Sequence, residues 1–101
     1  MRYYILKGKE PVQVYDLVEW AKWSEYADKT VKRTVLPDGV IISTVFTGID
    51  SSVSNALPPM IFETMIDGGE HDMYQKRYST WEEAEWSHGD AIRLVFNASS
   101  K

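Results

Sequence analysis

The segment DGGEHD, residues 67–72, places Asp67, Glu70, His71 and Asp72 around a Gly-Gly pair. Carboxylates beside an imidazole are the side chains that bind zinc or move protons. A zinc site needs three or four converging ligands. Here His71 and Asp72 would need His88 as a third, which requires the segment to fold back onto a later helix. A metal-dependent enzyme using His71 and His88 is therefore one reading. The regular oxygen spacing of a calcium loop is missing. The competing reading is a hairpin turn, because Asp followed by two glycines suits turn positions with φ > 0. Exposed hairpin tips gather charge, so this reading accounts for the composition without chemistry, and we adopt it. It makes Asp67, Glu70 and Asp72 surface acids available to a basic partner.

His88 lies on an apolar stripe with Trp81, Ala84, Ile92 and Val95. That position favours a core histidine satisfied by a backbone carbonyl. A hydrolytic triad needs a nucleophile beside a histidine and an acid. Ser43, Thr44, Ser51 and Ser52 lack a nucleophile-elbow motif, and no glycine-rich phosphate loop occurs. Glu82, Glu83 and Glu85 crowd a helix start, where capping and solvation explain them. No catalytic, cofactor-binding or metal-binding residue is assigned. Trp23 and Trp86 fall off the main apolar faces of their helices. Tryptophan beside acids is common at protein interfaces, so Trp23, Trp86 and Glu82 join the candidate partner-binding residues.

The elements that hold these residues follow from pattern. Residues 3–6 read as a strand, 7–9 as a turn and 10–14 as an edge strand limited by Pro11. A helix over about 16–28 starts at Asp16, with Glu19 at capping-box spacing, and faces the core with Leu17, Trp20, Ala21, Ser24 and Ala27. Strands over 32–36 and 40–49 flank the turn Pro37-Asp38-Gly39. A polar loop spans 50–59. Strands over 61–66 and 73–78 flank DGGEHD. A second helix over about 80–96 begins with two overlapping capping boxes, Ser79 with Glu82 and Thr80 with Glu83. Gly89 inside it implies close packing or a kink. The expected fold is a single α+β domain over 1–101, an antiparallel sheet of about five or six strands with two helices on one face.

The composition sets outer bounds. Hydrophobic residues make up 44% and aromatics 13%, enough for one compact core. The chain has no cysteine, which fits a reducing compartment. No stretch approaches the roughly 20 apolar residues of a membrane span. The expectation is a soluble intracellular protein. The net charge of −4 comes wholly from the second half, where eight acids between 63 and 90 face only Lys76 and Arg77. An acidic half repels phosphate backbones, so direct nucleic-acid binding is disfavoured, while a basic protein patch would be attracted.

Several stretches together look familiar: YYILKGKEPVQV, EWAKWSEYADKTV, STVFTGID, IFETMI with a Gly pair, and RYSTWEEAEWSH. They resemble, in order and spacing, a family of small proteins encoded by tailed phages and prophages. The chain departs from the family pattern at Thr47, where a Leu is usual, and at Ser87, where Gly usually precedes the histidine. The resemblance brings no catalytic motif. It implies an accessory protein acting in the cytoplasm of a bacterial host, and by analogy one that binds host machinery such as a nuclease or a CRISPR effector complex. The alternative is a small structural phage protein that self-associates, as a homodimer, through Trp23 or Trp86.

Overall fold

The computed structural model describes residues 1–52 and 57–99. The fold is α+β, with two helices and seven strands among the described residues. The strands are β1 (Arg2–Lys7), β2 (Glu10–Val14), β3 (Thr30–Val35), β4 (Ile41–Phe46), β5 (Ile49–Asp50), β6 (Phe62–Asp67) and β7 (Gln75–Tyr78). The helices are α1 (Leu17–Tyr26) and α2 (Trp81–Ser99). The expected single sheet is instead two antiparallel sheets, ordered β2-β1-β5 and β3-β4-β6-β7. The strand expected over 40–49 is cut at Thr47-Gly48, and Ile49 instead joins Asp50 in β5, which pairs with β1. Of the 50–59 loop, residues 53–56 lie outside the described residues.

Local chemistry explains the helix starts. The Asp16 carboxylate accepts from the Val18 and Glu19 amides at 2.9 and 3.4 Å. Of the two possible boxes at α2, Thr80 with Glu83 forms. The Thr80 hydroxyl accepts the Glu83 amide at 3.1 Å and donates to its carboxylate at 3.1 Å. The Ser79 hydroxyl turns instead to the Met60 sulfur.

α2 packs on the four-stranded sheet, and α1 rests against β1 and β2. The two helices therefore do not share one sheet, as the periodicity had implied. On the four-stranded sheet the residues facing α2 are Ile42, Thr44 and Phe46 on β4 and Phe62, Thr64 and Ile66 on β6, all buried. Strand alternation puts Ile41, Ser43, Val45 and Met65 on the opposite face, which carries no helix among the described residues.

α1 is rotated from its expected orientation. Leu17 is 56% exposed and Ala21 is exposed, while Trp20, Trp23, Ser24 and Ala27 turn inward. The tryptophans decide this, because burying two indoles removes more apolar area from water than burying Leu and Ala. Trp23, expected off the packed face, meets Phe46 edge-on at 5.7 Å. Phe46 in turn meets Phe62 at 5.1 Å, and Phe62 meets Trp81 at 6.2 Å. This aromatic row runs from α1 across the sheet to α2. Each edge-to-face pair adds about 1 kcal/mol beyond its buried area.

The two sheets join at Gly48. The Tyr4 amide donates to the Gly48 carbonyl at 2.8 Å, and the Trp20 indole N–H donates to the Tyr4 carbonyl at 3.0 Å. Next to this seam the Arg2 guanidinium pairs with the Asp50 carboxylate, which is buried. Asp50 also accepts the Ser52 amide at 3.2 Å.

α2 runs without interruption through Gly89, and a Cβ built there finds its nearest neighbours at 3.7 and 3.8 Å, on the Arg93 guanidinium. Neither close packing nor a kink requires glycine at this site. Gly89→Ala is therefore expected to raise stability by about 1 kcal/mol, read as a higher urea midpoint.

Candidate binding surface

The DGGEHD segment is the tip of the β6–β7 hairpin. Gly68 and Gly69 adopt φ +93° and +72°, and Met73 follows at +72°. The Asp72 carboxylate accepts the Gly68 amide at 2.8 Å, closing the tip. The Tyr74 amide returns to the His71 carbonyl at 3.0 Å. Asp67, Glu70 and Asp72 are exposed and His71 is half-buried. His71 lines a cleft of about 240 Å³ with Asp38, Val40, the two glycines, Glu70 and Val95. No three of His, Asp and Glu stand close enough to hold a metal ion among the described residues. His71, Asp72 and His88 are thus not brought together as a metal-dependent enzyme would need.

His88 lies beneath the centre of α2, fully buried. Its Nδ1 is 2.7 Å from the Thr44 hydroxyl and its Nε2 is 2.8 Å from the Thr34 hydroxyl. Thr44 continues to the Thr64 hydroxyl at 2.6 Å. The partners of the imidazole are side chains on β3 and β4, in place of the expected backbone carbonyl. Burial, followed by the nearby Lys32 cation, holds the imidazole below its usual pKa, so it is neutral at neutral pH. One nitrogen donates and the other accepts, and the hydroxyls adapt to either tautomer. With both nitrogens occupied and Thr44 and Thr64 fully buried, this network ties helix to sheet.

The outer side of α2 is different. Trp86 is 75% exposed, one helical turn beyond the exposed Glu82. Between α2 and β7 lies a groove of about 500 Å³, lined by Met60, Lys76, Arg77, Tyr78, Glu82, Glu83, Trp86 and Ser87. Arg77 is held by Glu63 at 3.4 Å. Lys76 lies over the Tyr78 ring, with Nζ 5.9 Å from the centroid, inside the limit of about 6 Å for such a contact. An adjoining, more apolar cleft of about 390 Å³ contains Leu57, Pro58, Met60 and Thr80.

The six candidate residues therefore separate into three places. Asp67, Glu70 and Asp72 are at the hairpin tip, beside the C-terminal part of α2. Glu82 and Trp86 are on the outer face of its N-terminal half. Trp23 is in the aromatic row. Sequence reasoning missed the β7 side of the groove. Lys76 and Arg77 were visible there as the sole cations among eight acids, but their placement beside Trp86 depends on strand pairing. Met60 carried no sequence signal.

No family model, curated protein or solved structure matches the chain. No helix among the described residues is long and apolar enough to cross a membrane.

Proposed function

We propose that this protein is a non-enzymatic binding module that occupies another protein through the outer face of α2. The observation that carries the reading is Trp86, a large aromatic side chain left 75% exposed beside the carboxylate of Glu82. A monomeric domain gains nothing in stability from an indole in water, whereas an interface gains a hot spot when it is covered. The acidic second half of the chain supports a partner with a basic patch, approached by electrostatic attraction. The resemblance to phage and prophage proteins supports a setting in the cytoplasm of a bacterial host, where a defence complex or nuclease, such as a CRISPR effector, is the class of target proposed. Under this reading the hairpin acids Asp67, Glu70 and Asp72 steer the encounter, and direct contact with nucleic acid is not required.

Affinity capture from bacterial lysate at low salt, with the unaltered protein beside Trp86→Ala and Glu82→Lys, tests it. A partner should be retained by the unaltered protein and held at least about tenfold more weakly by Trp86→Ala. Retention of the same proteins by all three forms would remove the reading. The self-association alternative predicts a dimer in light scattering, against a monomer mass of 11.6 kDa, and a return to monomer in Trp86→Ala.

A further inference from the structure

We infer that the groove between β7 and α2 takes an extended peptide segment of the partner, which adds to the sheet as a strand beside β7. This rests on the binding reading above and specifies what the partner presents. β7 is the terminal strand of its sheet, so the outer row of its backbone groups has no strand partner among the described residues. Such an edge is a template for another chain. α2 forms the second wall of the groove, as it must where side chains of an added strand are to be gripped. The volume of about 500 Å³ falls in the range of sites that enclose ligand groups. Its apolar surfaces, Trp86 and Met60, are 75% and 48% exposed and would be covered by alternate side chains of the incoming strand.

Charge selects the occupant. A second copy of this chain is disfavoured at this edge, because two-fold antiparallel pairing centred on β7 sets Lys76 and Arg77 against the same cations of the other copy. Arg77 is already engaged by Glu63, and Glu83 is engaged by Thr80 in the helix cap. Glu82 is exposed on the rim next to Trp86. The segment that fits is therefore extended, apolar at the alternate positions that face the groove, and basic where it passes Glu82. The backbone hydrogen bonds give it register, and the indole and carboxylate give it selectivity.

The probe is a displayed library of random eight-residue peptides selected against the full chain, followed by NMR titration with the best synthetic peptide and with its copy N-methylated at alternate residues. The expected result is enrichment of alternating apolar residues with Lys or Arg. Binding should slow amide exchange in residues 75–78 and shift the Trp86 indole resonance. It should weaken about tenfold or more in Trp86→Ala and be lost on N-methylation, which removes strand pairing without touching the protein. Three results would each overturn the inference: no enriched peptide, a peptide that binds equally well when N-methylated, or a peptide that perturbs residues away from β7. If lysate capture still depends on Trp86 and Glu82 in that event, the partner binds as a folded surface and the broader reading survives. If capture is also insensitive to both residues, the two fail together.

Discussion

Gly48→Ala should lose roughly 4 kcal/mol or more of folding stability, most of the total for a small domain near the low end of the usual range of about 5–15 kcal/mol. Gly48 adopts φ +71°, a conformation that costs an L-residue about 1–2 kcal/mol. The larger cost is spatial. A Cβ there would stand 2.7 Å from the Tyr4 carbonyl oxygen, 3.0 Å from the Phe46 ring and 3.1 Å from the Trp20 indole nitrogen. That carbonyl accepts the Trp20 indole, and the Tyr4 amide bonds to Gly48 itself. Moving β1 away to make room breaks the Tyr4–Gly48 bond and parts the two sheets. Gly39→Ala is the matched control, since φ is +89° but nothing lies within 4 Å of the added carbon. It should cost only about 1–2 kcal/mol. Urea unfolding of the two variants side by side checks the difference, and equal losses would show that the seam yields easily.

His88→Phe should cost about 2–4 kcal/mol, because it strips a partner from the buried Thr44 and from Thr34 while leaving their hydroxyls in place. The loss should be coupled to Thr44. In a double-mutant cycle with Thr44→Val, a coupling on the order of 1 kcal/mol is expected, since both replacements break the same bond. The pH dependence has a definite sign. In the unfolded chain the imidazole titrates near its ordinary value of 6.5, and in the fold it resists protonation to lower pH. Between those two values the unfolded chain binds more protons, so stability is complete above about pH 6.5 and falls as pH drops below it. The slope for one group stays below about 1.4 kcal/mol per pH unit and levels off once the folded imidazole also protonates. Urea midpoints from pH 7.5 to 5 should show this component in the unaltered chain and lack it in His88→Phe. A common profile for the two would assign the acid sensitivity to other groups.

What the sequence disclosed depended on how local each cause was. Caps and turns act over three to five residues, so the helix starts at Asp16 and Thr80 and the hairpin at Gly68-Gly69 could be read directly. The burial of His88 followed from its stripe. Its partners did not, because Thr34 and Thr44, with Thr64 behind Thr44, converge only through the pairing of β3, β4 and β6. Division into two sheets was hidden for a similar reason: residues 40–49 read as one β-branched and apolar run broken only by small polar residues and Gly48, and nothing in that run announces that Ile49 changes partner. The α1 face was misjudged because helical spacing ranked Leu17 and Ala21 with Trp20, whereas Trp23 had an aromatic row to complete. Trp86 stood out as a tryptophan off the apolar stripe and Glu82 as an acid of the helix start, yet the groove beside them required β7, whose position no short-range pattern specifies.

The seam between Arg2 and Asp50 joins residues 48 apart in the chain. Closing so long a loop costs chain entropy that local elements do not incur, so β1, β2 and α1 can assemble as a unit before they dock. Docking uses the Tyr4 amide on the Gly48 carbonyl, the short pairing of β1 with β5 and the Arg2–Asp50 ion pair. A unit of this kind from one molecule fits the same site on another. Concentrated refolding should therefore yield some exchanged dimer, in which each molecule lends its first 26 residues to its neighbour while every native contact at the seam is kept.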